Sequence, residues 1–291
     1  MINYFKIIKP GIILGNLTSV IGGFCFSKSA FSTHLLFFVL FGTFCIIASG
    51  CIFNNIIDID IDKKMLRTKS RILIYAKFFK PYCKFLGILL FFLGNIVLLI
   101  KVNIISALLA IIGFYVYVVL YSLYFKRTSM YSVIIGGISG AIPPMIGYCS
   151  TTNYIDHQSI LLFLVFFVWQ IPHSYSILIF YKTDYHNANI PTVVEEKGVL
   201  KSILDIIIFI VIFCTLIILL YVFNYVHLLF FIITISLSLL WLLIALIYYK
   251  NFINLYLSKL LFLWSILVIF SFNVMLIVNK LYFLQTYIRF W

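Results

Sequence analysis

HLLFFVLFGTFCIIASGCIFN (residues 34–54) runs directly into NIIDIDIDKKMLRTKSR (residues 55–71). The first stretch is uncharged and has the ~20 residues a helix needs to cross a bilayer. The second holds three of the eight acidic residues in the whole chain, Asp58, Asp60 and Asp62. The acids therefore lie at the mouth of a membrane helix. If that helix continues, Asn54, Asp58 and Asp62 stand at i, i+4 and i+8. Each step of four drifts only about 40° around the axis, so their side chains share one face. Two carboxylates and an amide oxygen suit a hard divalent cation such as Mg²⁺, which completes its shell with water and substrate phosphates. Asp60 points the other way, where Lys64 at i+4 is placed to pair with it. Arg67, Lys69 and Arg71 follow, and carboxylates beside cations are what a metal-bridged diphosphate needs. The plainer alternative is a solvated, salt-bridged helix end. It suits Asp60 better than Asp58 or Asp62, since nothing basic stands four residues after either.

Composition fixes the class. The 291 residues are 64% hydrophobic and 19% aromatic, with only 10% charged, against roughly 25% charged in a soluble domain. The expectation is an all-α integral membrane protein forming one domain over residues 1–291. A net charge of +13 could point to nucleic acid, but the Lys and Arg residues sit in short loops between apolar runs, which excludes that reading. Cys25, Cys45, Cys51, Cys83, Cys149 and Cys214 show no CxxC spacing and read as small buried hydrophobes. No cleavable signal or Arg-rich transit segment precedes the first span, which predicts direct insertion into a bacterial membrane.

Apolar runs at 10–27, 34–54, 85–101, 104–124, 131–149, 159–180, 203–222, 226–248 and 260–279 predict nine spans. Alternating sides, the loops place 17 of the 21 Lys and Arg residues on one side and leave Lys28, Lys101, Lys280 and Arg289 on the other. The positive-inside rule makes the rich side, with the N-terminus, cytoplasmic. All candidate chemistry lies there, in the 55–84 loop, at Lys126-Arg127 and in the 182–202 loop.

Further along, Trp169-Gln170-Ile171-Pro172-His173 lies within the sixth span. Proline breaks the helical ladder and frees carbonyls that a neighbour must satisfy. His173 either fills that structural role or is functional, as ionisable groups in a bilayer often are. Asp184 is a second acidic site on the same side, with a surface pair to Lys182 as the plainer reading. Tyr121 to Arg127 reads equally as an aromatic belt with positive anchors.

These segments together resemble the UbiA superfamily of intramembrane prenyltransferases. Asn54-x-x-x-Asp58-x-x-x-Asp62 is similar to its first Asp-rich motif. The heme-farnesylating branch is resembled in the doubled Asn54-Asn55, in Asp60-Ile61-Asp62-x-x-Met65-x-Arg67-Thr68-x-x-Arg71, and in Gly140-Ala141-x-Pro143-Pro144-x-x-Gly147-Tyr148. Trp169-Gln170-x-Pro172-His173 and Asp184-Tyr185-x-x-Ala188-x-Ile190-Pro191 match it too. The likeness runs from about residue 8 to 200; the last three spans match only in hydropathy. Relatives acting on quinone precursors carry a second Asp-x-x-x-Asp motif after span six, and here only Asp184 stands, with Tyr185 beside it.

The resemblance implies Mg²⁺ held by Asn54, Asp58 and Asp62, and farnesyl diphosphate held by Arg67, Lys69, Arg71, Lys126 and Arg127. It implies heme b as acceptor substrate near His173, Trp169, Gln170 and Lys182, with catalytic support from Asp184 and from Tyr121 and Tyr185. The expected setting is the bacterial inner membrane, with a terminal oxidase or heme A synthase downstream. Three alternatives stay open: a quinone-precursor or chlorin acceptor, a heme-handling scaffold, and an ion-coupled transporter. The transporter would ordinarily place its acids at mid-bilayer within an inverted repeat, and no such repeat is visible.

Overall fold

A computed structural model describes residues 4–289, with side chains undescribed at 4, 5, 77 and 283–289. The described residues are helical, with no strand. In lipid this follows from chemistry, because each backbone N–H and C=O must find its partner within the segment. The bundle is built from α1 (Pro10–Phe26), α2 (Thr33–Ile57), then after a short α3 (Ile59–Lys64), α4 (Lys80–Lys101) and α5 (Ile104–Thr128). It continues with α6 (Ser132–Thr152), α7 (His157–Phe180), a short α8 (Lys182–Asn187), α9 (Val199–Val222), α10 (Leu228–Lys250) and α11 (Leu255–Arg289). Among the described residues eight helices are long and apolar enough to cross a membrane, and the first predicted run forms a 17-residue helix, α1. The chain is a multi-pass membrane protein.

Local chemistry sets the helix ends. Pro10 opens α1, where a missing N–H costs nothing. Ser32 caps α2, and Asp156 with Ser159 makes a reciprocal capping box at α7. Helix α1 packs on α6 and α11, α6 on α7, and α7 on α9 and α11, while α2 pairs with α4. The α1–α6 crossing is so close that a Cβ on Gly23 would meet the Pro144 carbonyl oxygen at 1.9 Å, and one on Gly147 the Val20 oxygen at 2.1 Å. Small residues let these backbones touch where lipid gives helices no hydrophobic reason to associate. Phe85, Phe92, Ile96 and Ile100 of α4 are exposed, as a lipid-facing surface requires. All six cysteines are free and buried, as expected.

Within α5 the backbone from Val116 to Phe125 is π-helical. Such stretches are rare and usually short. This one ends at Lys126 and carries Ser122 inward, where its hydroxyl donates to the Tyr117 carbonyl at 2.8 Å.

Candidate active site

Helix α2 ends at Ile57 and α3 begins at Ile59, yet the ladder continues across the break: Asp58 N donates to Asn54 O at 2.9 Å and Asp62 N to Asp58 O at 2.8 Å. The i, i+4, i+8 face therefore survives. Asn54, Asp58 and Asp62 are 3%, 1% and 3% exposed, while the Asp60 side chain is 62% exposed. Burying carboxylates without partners is costly, and each has one. Lys126 Nζ lies 2.5 Å from Asp58 Oδ2, and Arg71 Nη1 lies 2.6 Å from Asp62 Oδ2. Two cations predicted to meet a diphosphate thus sit on the two buried acids.

Asp60 corrects the expected pairing. Its partner is Arg127, 67 residues away, through two bonds of 2.6 and 2.8 Å, and not Lys64. Arg127 also donates to the Ile57 carbonyl at 2.8 Å, so one guanidinium clamps the α2–α3 break. Hydrogen bonding from Arg127 holds the Asp60 carboxyl down to about 2.

Lys9, in the sequence only one of the 17 basic residues counted on the cytoplasmic side, is a fourth cation in the site: its ammonium donates to Asn54 Oδ1. Asn54 Nδ2 is itself tied to Asp58 Oδ2 and Ser122 Oγ, both at 2.9 Å, so its oxygen is aimed at Lys9. Asn55 holds the chain just before Lys9, donating to Ile7 O at 2.6 Å. Burial is the first cause bringing the Lys9 ammonium down to about 8, and Arg71 and Lys126 nearby push the same way. Only the Lys-Pro step marked this residue in the sequence.

Asp184 is buried, and its oxygens accept from Leu66 N at 3.0 Å and Arg67 N at 3.2 Å. It pins the start of the loop that carries Arg71, and Lys182 beside it is exposed, not its partner. Arg67 spreads over the Tyr181 ring, 4.6 Å from its centroid, and Lys69 is exposed. Neither is paired with the buried acids. Tyr121 stacks on Tyr117 with centroids 5.9 Å apart, and Tyr185 packs with Ile61, Met65, Ala188 and Ile190. Gly136 and Gly140 of α6 leave room for Tyr121 and Gln170, whose atoms lie 3.2 and 3.0 Å from where a Cβ would stand.

His173 does not satisfy a carbonyl freed by Pro172. Its Nδ1 meets Ser265 Oγ of α11 at 2.7 Å, and its ring stacks on Trp169, whose indole donates to Ser265 O at 2.9 Å. The Ser265 hydroxyl donates to Phe262 O at 2.6 Å. That network assigns the proton to Nδ1 and leaves Nε2 as an acceptor. A cavity of about 360 Å³ lined by His157, Leu161, Phe223 and Tyr225 lies at the other end of α7, away from these residues.

The donors fit a hard cation. Asp58 Oδ1 is buried without a hydrogen-bond partner, and Arg127 Nη2 stands 4.0 Å from it. With Asn54 Oδ1 and the Asp62 carboxylate it offers an all-oxygen set. Among the described residues no cluster of three His, Cys, Asp or Glu forms a metal cage.

Residues 16–267 match the UbiA prenyltransferase family. The chain is 43% identical over 284 residues to a protoheme IX farnesyltransferase of Pectobacterium carotovorum subsp. carotovorum (strain PC1), covering 96% of this chain and 95% of that one. It is 41% identical over 281 residues to the protoheme IX farnesyltransferase of Cronobacter sakazakii (strain ATCC BAA-894), covering 95% and 94%. In fold it resembles a digeranylgeranylglyceryl phosphate synthase at 19% identity, with TM-score 0.78 over 95% of this chain and 97% of the other. It also resembles a UbiA homolog from Archaeoglobus fulgidus solved with GPP and Mg²⁺, at 14% identity and TM-score 0.65, covering 94% and 99%.

Proposed function

We propose, for a chain that belongs to the UbiA prenyltransferase family, transfer of a farnesyl group from farnesyl diphosphate to a vinyl group of heme b, with addition of water. The likeness at 43% identity over nearly the whole chain carries the choice of donor and acceptor. The C1–O bond of the allylic diphosphate breaks, and the electron pair leaves with the diphosphate. The vinyl terminus bonds to farnesyl C1, water adds to the cation left beside the porphyrin ring, and a proton is released. The product is a hydroxyethylfarnesyl heme.

Mg²⁺ held by Asn54, Asp58 and Asp62 would supply Lewis-acid stabilisation to the leaving diphosphate. Arg71, Lys126 and Arg127 bring positive charge to where negative charge develops. Arg67 and Lys69, on the same loop, complete the cationic approach at its rim. Asp184 acts on this chemistry through the loop it pins. Tyr121, Tyr185 and the Tyr117 ring offer π faces to the allylic cation, and an apolar bundle keeps water from it. On the acceptor side the His173 Nε2 lone pair suits heme iron. Trp169 orients that ring, Gln170 lines the adjoining surface against Gly140, and the exposed Lys182 would meet a propionate at the rim.

Helix α1 is about 26 Å long by its rise per residue, which supports counting it as a ninth span in a single domain over residues 1–291. The distribution of Lys and Arg supports a cytoplasmic N-terminus and a site facing the cytoplasm of a bacterial inner membrane. The product then suits a terminal oxidase or heme A synthase. The test is pigment analysis of membranes containing the chain, supplied with heme b and farnesyl diphosphate, with Mg²⁺ or with EDTA. Mg²⁺-dependent appearance of a more hydrophobic heme is expected; unchanged heme b in both arms would overturn the proposal.

A further inference from the structure

We infer that Lys9 is a diphosphate-positioning residue which, in the resting protein, guards the Asn54 oxygen, so that metal and diphosphate enter together and a bare divalent ion is turned away. The inference rests on the metal–diphosphate reading above. Every candidate ligand residue already has its own cation. Lys9 is on Asn54 Oδ1, Lys126 is 2.5 Å from Asp58 Oδ2, and Arg71 is 2.6 Å from Asp62 Oδ2. Counting Arg127 on Asp60, four cations face three carboxylates.

A divalent ion arriving alone would raise an existing positive excess and find its oxygens covered. A diphosphate arriving alone would leave its own charge only partly met. Together they balance: the diphosphate draws Lys9, Lys126 and Arg71 outward, and the oxygens they release become free for the metal. Lys9 is built for the move. Its backbone is held left-handed at φ 54° immediately before Pro10, a conformation non-glycine residues rarely take, while its four-carbon stem stays flexible. Only the ammonium needs to travel.

The test uses Mn²⁺ as an EPR-visible ion on the full-length protein in detergent, with and without a non-reactive farnesyl thiodiphosphate. Wild-type protein is expected to bind Mn²⁺ weakly alone and at least about tenfold more tightly with the analogue, as expected when charges a few ångströms apart in a partly buried site are neutralised. Lys9→Gln should tighten binding of bare Mn²⁺ by a similar factor and shrink the gain from the analogue, while Lys9→Arg keeps wild-type behaviour. Lys126→Gln, which uncovers Asp58, should shift bare-ion affinity in the same direction and serves if Lys9→Gln fails to fold. If folded Lys9→Gln protein, or Lys126→Gln protein where Lys9→Gln does not fold, binds bare Mn²⁺ no better than wild type, the guarding role is wrong while the metal site stands. If wild-type protein binds no Mn²⁺ even with the analogue, the metal–diphosphate reading itself fails, and this inference with it.

Discussion

Each end of the bundle buries lysine charge, and the two ends treat it differently. At the end opposite the acids, the buried Lys280 ammonium donates to the Ser27 carbonyl at 2.7 Å and to the Ser29 carbonyl. Its partners are backbone atoms of a short connection, which cannot rotate away. Nearby, Asn279 accepts from His227 N at 2.8 Å and donates to Tyr225 O at 3.3 Å, again fixing chain to chain. At the acid-bearing end, Lys9, Lys126 and Arg71 are met by side chains. Side-chain pairs can be exchanged for another ion at little conformational cost. Backbone-held charge builds the fold, and exchangeable charge serves a ligand that comes and goes.

That contrast fails first at the acids if it is wrong. Asp58→Ala or Asp62→Ala should lower turnover about a hundredfold to a thousandfold with the protein still inserted, whereas Asp60→Ala should be far milder because its side chain faces outward. Equal losses in all three under saturating Mg²⁺ would show that the buried face is not special. A smaller loss is expected at the acceptor side. His173→Ala should remove the Soret shift seen on heme binding and weaken heme affinity about tenfold or more, leaving farnesyl diphosphate binding intact. An unchanged heme spectrum would reduce His173 to its Ser265 contact.

Asp184→Asn should cost less again, about tenfold in kcat/KM for farnesyl diphosphate, since a neutral acceptor holds the Leu66 and Arg67 amides less firmly. An equal rise in KM for heme would mean a general folding role. Last, Lys280→Met should leave the turnover of folded protein untouched while lowering stability by about 1–3 kcal/mol through stranded carbonyls, read as a lower unfolding midpoint in detergent. Lost turnover there would erase the division between the two ends.

The sequence made legible whatever one helix decides by itself. The spacing of Asn54, Asp58 and Asp62 placed them on one face, with Asp60 turned outward, and the apolar runs located the helices to within about five residues except the last, expected to end at 279 and running to Arg289. Partners across the fold were another matter. Asp60 lies nearer in sequence to Lys64 but bonds Arg127; Lys9 reaches Asn54 across 45 positions, and Asp184 reaches Leu66 across 118. Such pairs depend on how helices stack, and periodicity along a single strand of residues holds no information on that. His173 shows the same limit. Its neighbour Pro172 suggested a bond to a freed carbonyl, while packing against α11 supplied Ser265 instead.

The π-helical stretch of α5 bears on how the site could have arisen. Its wider turns, from Val116 to Phe125, set the angle at which Lys126 leaves the helix toward Asp58. Removing one residue from that stretch would change the winding of the turns before Lys126 and carry the ammonium away from the acid. A length change of one residue there alters the backbone path to Lys126 without touching the lysine itself. The ancestry of this cation is therefore to be sought in gaps between related chains, where a tally of conserved letters would pass over it.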